Sequence, residues 1–199
     1  MAFTDFKSIA QVQSAFQIKY TEQDYIQGLN SIKPSESFIQ ELAFSRQYMD
    51  IFSSEASRCE NVIYPILREA YKHYADKYTL WSHKTLNYDT VLTGTPDYMI
   101  ATKSALGKTV LDKPLLVMVE AKQNNFSEGW GQCLAELLAA QKINQSAKTI
   151  QGIVTDGELW QFAKLTGDTF IKHISVFTLT DLAELFSALA YVFDEAGKE

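Results

Sequence analysis

Two carboxylates and one lysine stand at positions in this sequence from which they could bind a divalent cation. Asp97 follows Pro96, and Glu120 and Lys122 stand at the polar end of the apolar run Leu115–Ala121. Mg²⁺ takes oxygen ligands and keeps several waters, so two carboxylates, one backbone carbonyl and a substrate phosphate would complete its coordination. Lys122 would orient or deprotonate a metal-bound water and stabilise the charge that develops on the attacked phosphorus. These residue types predict a metal-dependent phosphodiesterase.

The strands that must hold these residues are also indicated by the sequence. Leu115–Ala121 is a continuous apolar run bounded by proline and a polar loop, which predicts a strand buried on both faces. Side chains two residues apart on a strand share a face, so Glu120 and Lys122 should point the same way. Residues 97–101 predict a second strand that could pair with the first. That pairing would bring Asp97 beside Glu120.

The order of these features resembles the catalytic core of the PD-(D/E)XK nuclease superfamily. The shared pattern is Pro-Asp, a spacer and Glu-Ala-Lys, with a glutamate-bearing helix before it and a glutamine-bearing helix after it, over residues 55–155. Residue by residue, the resemblance matches Asp97, Glu120 and Lys122 to the defining triad of the family. It matches Gln132 to the glutamine of the second helix.

The resemblance implies a fold, a cofactor and a substrate. The expected fold is α/β with a restriction-endonuclease-like core, a central mixed β-sheet flanked by helices. The expected cofactor is Mg²⁺ or Mn²⁺, bound by Asp97, Glu120, the Ala121 backbone carbonyl and a glutamate of the first helix. A metal-activated water would attack a phosphodiester bond, with DNA as the expected substrate, and Gln132 would steady Lys122, the water or a phosphate oxygen.

The glutamate of the first helix has two candidates, Glu55 and Glu60. Five residues correspond to about 500° of helical rotation, so the two side chains point about 140° apart and should not both reach one metal. Glu60 shares a stripe with Ile63 and Leu67 that should pack on the sheet, so we expect Glu60 to be the ligand. Glu55 follows Ser53-Ser54, where an acidic residue suits the helix dipole, and it is the alternative ligand.

Trp130 is a candidate for nucleic-acid binding. Gly129 and Gly131 flank it at the predicted start of a helix, where free backbone amides could bind an anion and the ring could stack on a base. The alternative is that Trp130 fills the core at the helix end. The preceding polar segment, residues 123–129, is expected to be a loop within reach of a phosphate.

Composition predicts one globular domain, since 46% of the 199 residues are hydrophobic. We expect the core of this domain over about 55–165 and an N-terminal helical extension over about 1–50. The start of the chain lacks the pattern of a signal peptide, and no apolar run approaches the length of a membrane span. Two unpaired cysteines favour the cytoplasm. The three histidines and two cysteines lack the spacing of a zinc site or an iron-sulfur cluster.

The net charge of -6 and the pI of about 5.1 are the opposite of what a strong nucleic-acid binder shows. Any contact with DNA should therefore be local, assisted by metal or supplied by a partner. This acidity favours a second hypothesis, a catalytically inactive interaction module of the same fold or a subunit of a multi-protein defence complex. A homodimer that makes paired cuts across a duplex is a further possibility.

The sequence also predicts elements away from the site. A proline inside the glutamate helix, Pro65, is expected to bend it. The other predicted elements are a helix with an extended tail over 3–20, a connector over 25–34, a helix from residue 35, the glutamate helix to about residue 74, strands over 78–86, 150–155 and 169–180, a hairpin turn at Asp156-Gly157, and a helix over 181–193.

Overall fold

A mixed eight-stranded β-sheet lies at the centre of the computed structural model, which describes residues 2–27 and 32–198. The strand order is β1-β9-β8-β7-β6-β5-β2, with β10 beside β8, while β3 and β4 form a separate hairpin. In this part of the chain the strands are β1 (Lys19–Gln23), β2 (Tyr78–Ser82), β3 (Leu86–Asn87), β4 (Thr93–Gly94), β5 (Tyr98–Thr102), β6 (Leu115–Ala121), β7 (Ile150–Thr155), β8 (Leu159–Thr166), β9 (Thr169–His173) and β10 (Phe177–Thr178).

Helices cover both faces of the sheet, and two hydrophobic cores fill the spaces between the layers. The helices are α1 (Ile9–Phe16), α2 (Glu36–Tyr48), α3 (Glu55–Arg58), α4 (Tyr64–Tyr71), α5 (Phe126–Asn144) and α6 (Leu182–Ala196). Residues of α1 and α5 line one core, and residues of α2, α4 and α6 line the other. The predicted α/β class with a central mixed sheet flanked by helices is confirmed.

Three antiparallel strands, β2, β5 and β6, and the parallel strand β7 form one side of the sheet. β2 pairs with β5 and β5 with β6 in antiparallel fashion, whereas β6 and β7 run parallel. A parallel pair needs a crossover connection, and α5 provides it. Every residue of β6 is buried, as the apolar run predicted. Because β5 begins where β6 and β7 end, these three strands share one edge of the sheet.

α5 begins earlier than the sequence indicated. The segment 123–129 was expected to be a polar loop, but the helix starts at Phe126. Asn125 caps it, because its side chain accepts the Glu128 N–H at 3.2 Å and satisfies one of the free amides of the first turn. The acidic Glu128 in that turn also suits the helix dipole. The connection between β6 and α5 is therefore a short turn over residues 122–125.

The glutamate helix begins at Glu55, where the Ser54 side chain accepts a backbone N–H of the first turn. Between α3 and α4 the segment Cys59–Ile63 is π-helical, and the Tyr64 N–H donates to the carbonyl five residues earlier. Pro65 follows directly and has no N–H to donate to the turn before it. A π-helical segment therefore lies where the sequence indicated a bend, and the helix continues through α4.

Other predicted elements are found with small changes of boundary. The strand expected over 78–86 ends at Ser82, because His83 adopts a left-handed backbone conformation with φ 49°. The extended tail of the first helix is β1, which pairs with β9 in parallel. The predicted connector 25–34 lies partly outside the described residues. The elements found as expected are α2 after Ser35, the glutamate helix, the hairpin turn at Asp156-Gly157 and α6 after Asp181.

None of the described helices combines the length and the apolar character that a membrane crossing requires.

Candidate active site

The pairing of β5 with β6 brings Asp97 next to the end of β6. The Ala121 N–H donates to Asp97 Oδ2 at 2.7 Å. Tyr98 lies opposite Val119 in the antiparallel register, so the residue before β5 lies beside the residues that end β6. The predicted strand pairing is confirmed, and Asp97 lies beside Ala121, the residue after Glu120.

Glu120 and Lys122 share a face, as the two-residue period of a strand requires. Lys122 Nζ lies 2.8 Å from Glu120 Oε1. Glu120 is only 3% exposed, and its Oε2 has no hydrogen-bond donor among the described residues. The Lys122 N–H donates to the Thr155 carbonyl at 2.9 Å, which anchors the residue to the end of β7. Asp97, Glu120 and Lys122 therefore lie at one edge of the sheet.

Burial and neighbouring charges shift the pKa of all three side chains in this group. Burial raises the pKa of Glu120, and the charge of Asp97 raises it further, while Lys122 opposes the rise. Burial also raises the pKa of Asp97, although the Ala121 N–H lowers it in part. For Lys122, burial lowers the pKa, but the Glu120 carboxylate outweighs burial and the net pKa is raised. Lys122 is therefore held as an ammonium.

A second buried glutamate lies behind Glu120. Glu136 in α5 is fully buried, and neither of its oxygens accepts a hydrogen bond from an N–H or O–H donor of the described residues. Burial raises its pKa well above the ordinary value, and the charge of Glu120 and a hydrogen bond to the Glu120 carboxyl add to the rise, which favours the protonated acid. Sequence reasoning did not assign Glu136 to the site.

His83 is a further residue that sequence reasoning did not assign to the site. Its Nε2 lies 3.5 Å from Asp97 Oδ1, and its backbone N–H donates to the Asp97 carbonyl at 2.9 Å. Its Nδ1 lies 2.9 Å from Ser82 Oγ, and the side chain is 60% exposed. Positive φ is uncommon for histidine, and such conformations occur preferentially at functional sites. His83 therefore lies at the exposed side of Asp97.

A cavity of about 570 Å³ opens beside Asp97. This volume lies within the range of ordinary ligand pockets. The residues that line it include Glu55, Glu60, Tyr64, His83, Asp97 and Tyr98. The lining includes Asp97 and does not include Glu120 or Lys122.

Both candidate glutamates of the first helix line this cavity, although the sequence indicated that they should diverge. The π-helical segment reduces the rotation per residue, so the estimate for an ideal α-helix does not apply there. Glu60 is exposed whereas Ile63 and Leu67 are buried, so the predicted apolar stripe through Glu60 is wrong. The charge of Glu55 raises the pKa of both Asp97 and Lys122, which places Glu55 within electrostatic range of the site.

α5 packs closely against Lys122 through Gly129. A Cβ added at Gly129 would lie 3.0 Å from Lys122 Cγ and 2.7 Å from Val154 Cγ1. The glycine therefore leaves room for the lysine stem. Gln132 is buried and lies three residues after Gly129 and four before Glu136, so all three share one face of the helix. Gln132 is thus on the side of α5 that faces the site.

Trp130 does not offer a face to a nucleobase. It is 2% exposed, its Nε1–H donates to Gln161 Oε1 at 2.8 Å, and its ring packs edge-on against Phe170. The base-stacking role predicted for Trp130 is therefore corrected. The ring fills the core at the start of α5, which is the alternative that the sequence left open.

The two cysteines are buried free thiols, as the sequence indicated. Burial raises the pKa of Cys59 to about 11 and raises that of Cys133 well above its ordinary value. A thiol with a raised pKa is protonated at neutral pH and is a poor nucleophile. The raised pKa values disfavour a thiolate nucleophile at either cysteine.

The donor atoms fit a hard divalent cation. Within residues 2–27 and 32–198, no group of three or more His, Cys, Asp or Glu side chains is arranged to hold a metal ion. Asp97 and Glu120 nevertheless supply two carboxylates, and Glu120 Oε2 is buried without a donor. Mg²⁺ commonly binds one or two carboxylates and completes its coordination with water and substrate phosphate oxygens.

Neither a family model nor a curated protein matches the chain. The chemistry of the site is therefore interpreted from its geometry.

Proposed function

We propose that this protein is a nuclease of the PD-(D/E)XK type that hydrolyses phosphodiester bonds in DNA with Mg²⁺ or Mn²⁺ as cofactor. The observation that supports this proposal most directly is the meeting of Asp97, Glu120 and Lys122 at one sheet edge. There the Ala121 N–H holds Asp97 at 2.7 Å and Lys122 Nζ contacts Glu120 at 2.8 Å. A buried carboxylate without a donor is costly, and a cation would offset that cost.

The order of elements around the site also supports the proposal. A helical segment, three antiparallel strands, a crossover helix and a parallel strand follow one another as α3–α4, β2, β5, β6, α5 and β7. This is the order that the resemblance to the family implies. A restriction-endonuclease-like core is therefore part of the proposal.

Each residue of the site has a role in this proposal. Asp97, Glu120 and the Ala121 carbonyl would hold the cation, and Glu55 or Glu60 would approach it from the cavity. A bound Mg²⁺ would lower the pKa of a coordinated water and offset the charge of the phosphate. Lys122 donates hydrogen bonds as an ammonium to the developing charge on the phosphate oxygens.

The remaining residues position or admit the substrate. His83 lies at the exposed side of Asp97, where it can donate a hydrogen bond to a phosphate or to the leaving oxygen. The buried Glu120–Lys122 contact orients the ammonium before substrate binds, which reduces the reorganisation needed during the reaction.

Cleavage assays test this function. Linear duplex, circular duplex and single-stranded DNA would be incubated with wild type and with Lys122→Ala in Mg²⁺, Mn²⁺ and EDTA, and the products resolved on a gel. Lys148→Ala is the matched control, because Lys148 is exposed and precedes β7 at the end opposite the site. We expect metal-dependent cleavage by wild type and Lys148→Ala and none by Lys122→Ala. Cleavage that survives in Lys122→Ala would contradict the assignment.

The net charge of -6 favours one rival, a non-catalytic interaction module of the same fold or a subunit of a larger complex. A module of this kind needs no cation. Intact DNA in every lane, together with no binding of Mg²⁺ or Mn²⁺, would support the rival.

A further inference from the structure

The cavity beside Asp97 is larger than a single cation requires. Its volume of about 570 Å³ lies within the range of ordinary ligand pockets. Asp97 is part of its lining, whereas Glu120 and Lys122 are not. A scissile phosphate held at these three residues would therefore lie at the side of the cavity, which leaves most of its space for another part of the substrate.

The charged residues around the cavity disfavour a second phosphate in this space. Among the described residues that line it, Glu55, Glu60 and Asp97 carry carboxylates, and none is a lysine or an arginine. A cation at Asp97 would offset this charge only close to where it binds. A phosphate further inside would be repelled by the carboxylates, whereas an uncharged group such as a nucleobase would not.

Aromatic rings form one wall of the cavity. Tyr64 and Tyr98 stack with their ring centroids 5.9 Å apart, and the His83 ring lies edge-on to Tyr98. Tyr98 is only 3% exposed, whereas Tyr64 is partly exposed, so Tyr64 is the tyrosine that a ligand can contact. Nucleobases of any type stack on such rings, because every base has a π-face.

Arg68 lies next to the Tyr64 ring but does not line this cavity. Its guanidinium carbon is 5.8 Å from the centre of the Tyr64 ring, and the exposed side chain lines a separate, smaller cavity. Proteins that bind single strands combine aromatic rings for the bases with cations for the backbone. A positive charge that could serve the backbone thus lies next to the ring that could serve the base.

We propose that the cavity binds the base of an unpaired nucleotide next to the scissile phosphate, with Tyr64 as the stacking residue, and that single-stranded DNA is the preferred substrate. The inference rests on the proposed function, because it takes Asp97 as the place of the scissile phosphate. A base within a duplex enters such a cavity only after it has left its pair and its stack, which costs free energy. An unpaired base enters without that cost.

Steady-state cleavage of a single strand and of the duplex of the same sequence tests this inference. We expect the kcat/KM of wild type to be about tenfold or more higher for the single strand. Tyr64→Ala should lower kcat/KM for the single strand about tenfold, mainly through a higher KM, whereas Tyr64→Phe keeps the ring and should stay within about twofold of wild type.

Tyr88→Ala is the matched control for the loss of the Tyr64 ring. Tyr88 is 47% exposed and also has a cation next to its ring, since Lys142 Nζ lies 5.5 Å from the ring centre. It lines a different cavity, near the end of α5. We expect Tyr88→Ala to cleave both substrates like wild type.

A single strand of abasic nucleotides separates stacking from a structural role of Tyr64. Removal of the bases should lower the kcat/KM of wild type about as much as Tyr64→Ala does, and wild type and Tyr64→Ala should cleave the abasic strand at equal rates. An equal loss for Tyr64→Ala on both strands would overturn the stacking role. If the alanine variant does not fold, Tyr64→Leu replaces it, with the same expected result.

A binding measurement distinguishes this inference from the proposed function. The fluorescence anisotropy of a labelled single strand would be titrated with Lys122→Ala and with Lys122→Ala/Tyr64→Ala. Binding that depends on Tyr64, without cleavage by wild type, would overturn the nuclease and leave the base-binding cavity standing. Cleavage by wild type that shows no preference for the single strand, or no effect of Tyr64→Ala, would overturn the inference and leave the nuclease standing. An absence of both binding and cleavage would overturn both.

Discussion

Glu69 in α4 and Glu136 in α5 are both buried glutamates, but their surroundings differ. Glu69 Oε1 accepts the Ser35 N–H at 2.9 Å, and Oε2 pairs with Lys72 Nζ. Burial raises the pKa of Glu69, but these donors outweigh it and lower the pKa to about 2. Glu136 has no comparable donor in the described residues, and its pKa is raised.

The difference shows how a site can be distinguished from the fold. Buried polar groups that serve only the structure are hydrogen-bonded, as Glu69 is. The fold provides donors for Glu69 at the junction of α2 and α4, yet it brings Glu120 and Glu136 together with a single lysine. The Glu120–Glu136 pair therefore differs from Glu69 in that two buried carboxyls contact each other with one lysine beside them.

Asp97→Asn, at the same sheet edge as Glu120, has the largest expected effect. Asparagine can still accept the Ala121 N–H, so the fold should persist, but the charge that binds the cation is lost. We expect the rate of DNA cleavage to fall on the order of 10³-fold, about 4 kcal/mol. Asp89→Asn is the control, because Asp89 also accepts backbone N–H groups, from Val91 and Leu92. A fall of less than about tenfold for Asp97→Asn would remove Asp97 from the site.

Glu69→Gln tests how much the hydrogen-bonded, ion-paired Glu69 contributes to the stability of the fold. Its folded pKa of about 2 lies below the ordinary value of 4.5, so its contribution to stability is present above about pH 4.5 and is lost as the pH falls towards 2. We expect the variant to lose about 2 kcal/mol of unfolding free energy at pH 7, measured by urea denaturation, and less near pH 3. Glu41→Gln, at an exposed position of α2, should change stability little at either pH. An equal loss at both pH values would contradict the role of the charge.

Gly129→Ala gives the smallest expected effect and tests how closely α5 holds Lys122. The added Cβ would lie 3.0 Å from Lys122 Cγ and 2.7 Å from Val154 Cγ1, so one or both side chains must move. We expect cleavage to fall about tenfold, since small displacements of a catalytic group slow the reaction. Ser127→Ala, in the first turn of α5, should cleave like wild type. Unchanged cleavage by Gly129→Ala would show that Lys122 tolerates displacement.

The central strands and the shared face of Glu120 and Lys122 could be predicted from the sequence because each rests on a local rule. The two-residue period of β6 placed Glu120 and Lys122 on one face, and the apolar run indicated burial on both faces. The proximity of Asp97 needed one further assumption, that the strand after Pro96 pairs with β6. That assumption is confirmed.

Other features of the site depend on contacts that a local pattern does not contain. His83 reaches Asp97 because the residue after β2, His83 itself, is left-handed, which no residue type in that segment requires. The π-helical segment before Pro65 changes the direction of Glu60, and helical periodicity alone assumes regular turns. Glu136 did carry a signal, since it is the one charged residue within the apolar stretch from Cys133 to Ala140.

Single-turnover cleavage of an end-labelled DNA duplex during a Mg²⁺ titration tests the central claim most directly. Metal-free wild type would be mixed with substrate, and the cleavage rate measured as the Mg²⁺ concentration rises, beside Lys122→Ala. The account expects no cleavage without metal, a rate that rises and saturates with Mg²⁺ in wild type, and no measurable rate in Lys122→Ala. Cleavage in EDTA, or a wild-type protein that binds the metal ion yet leaves DNA intact at every concentration, would contradict it.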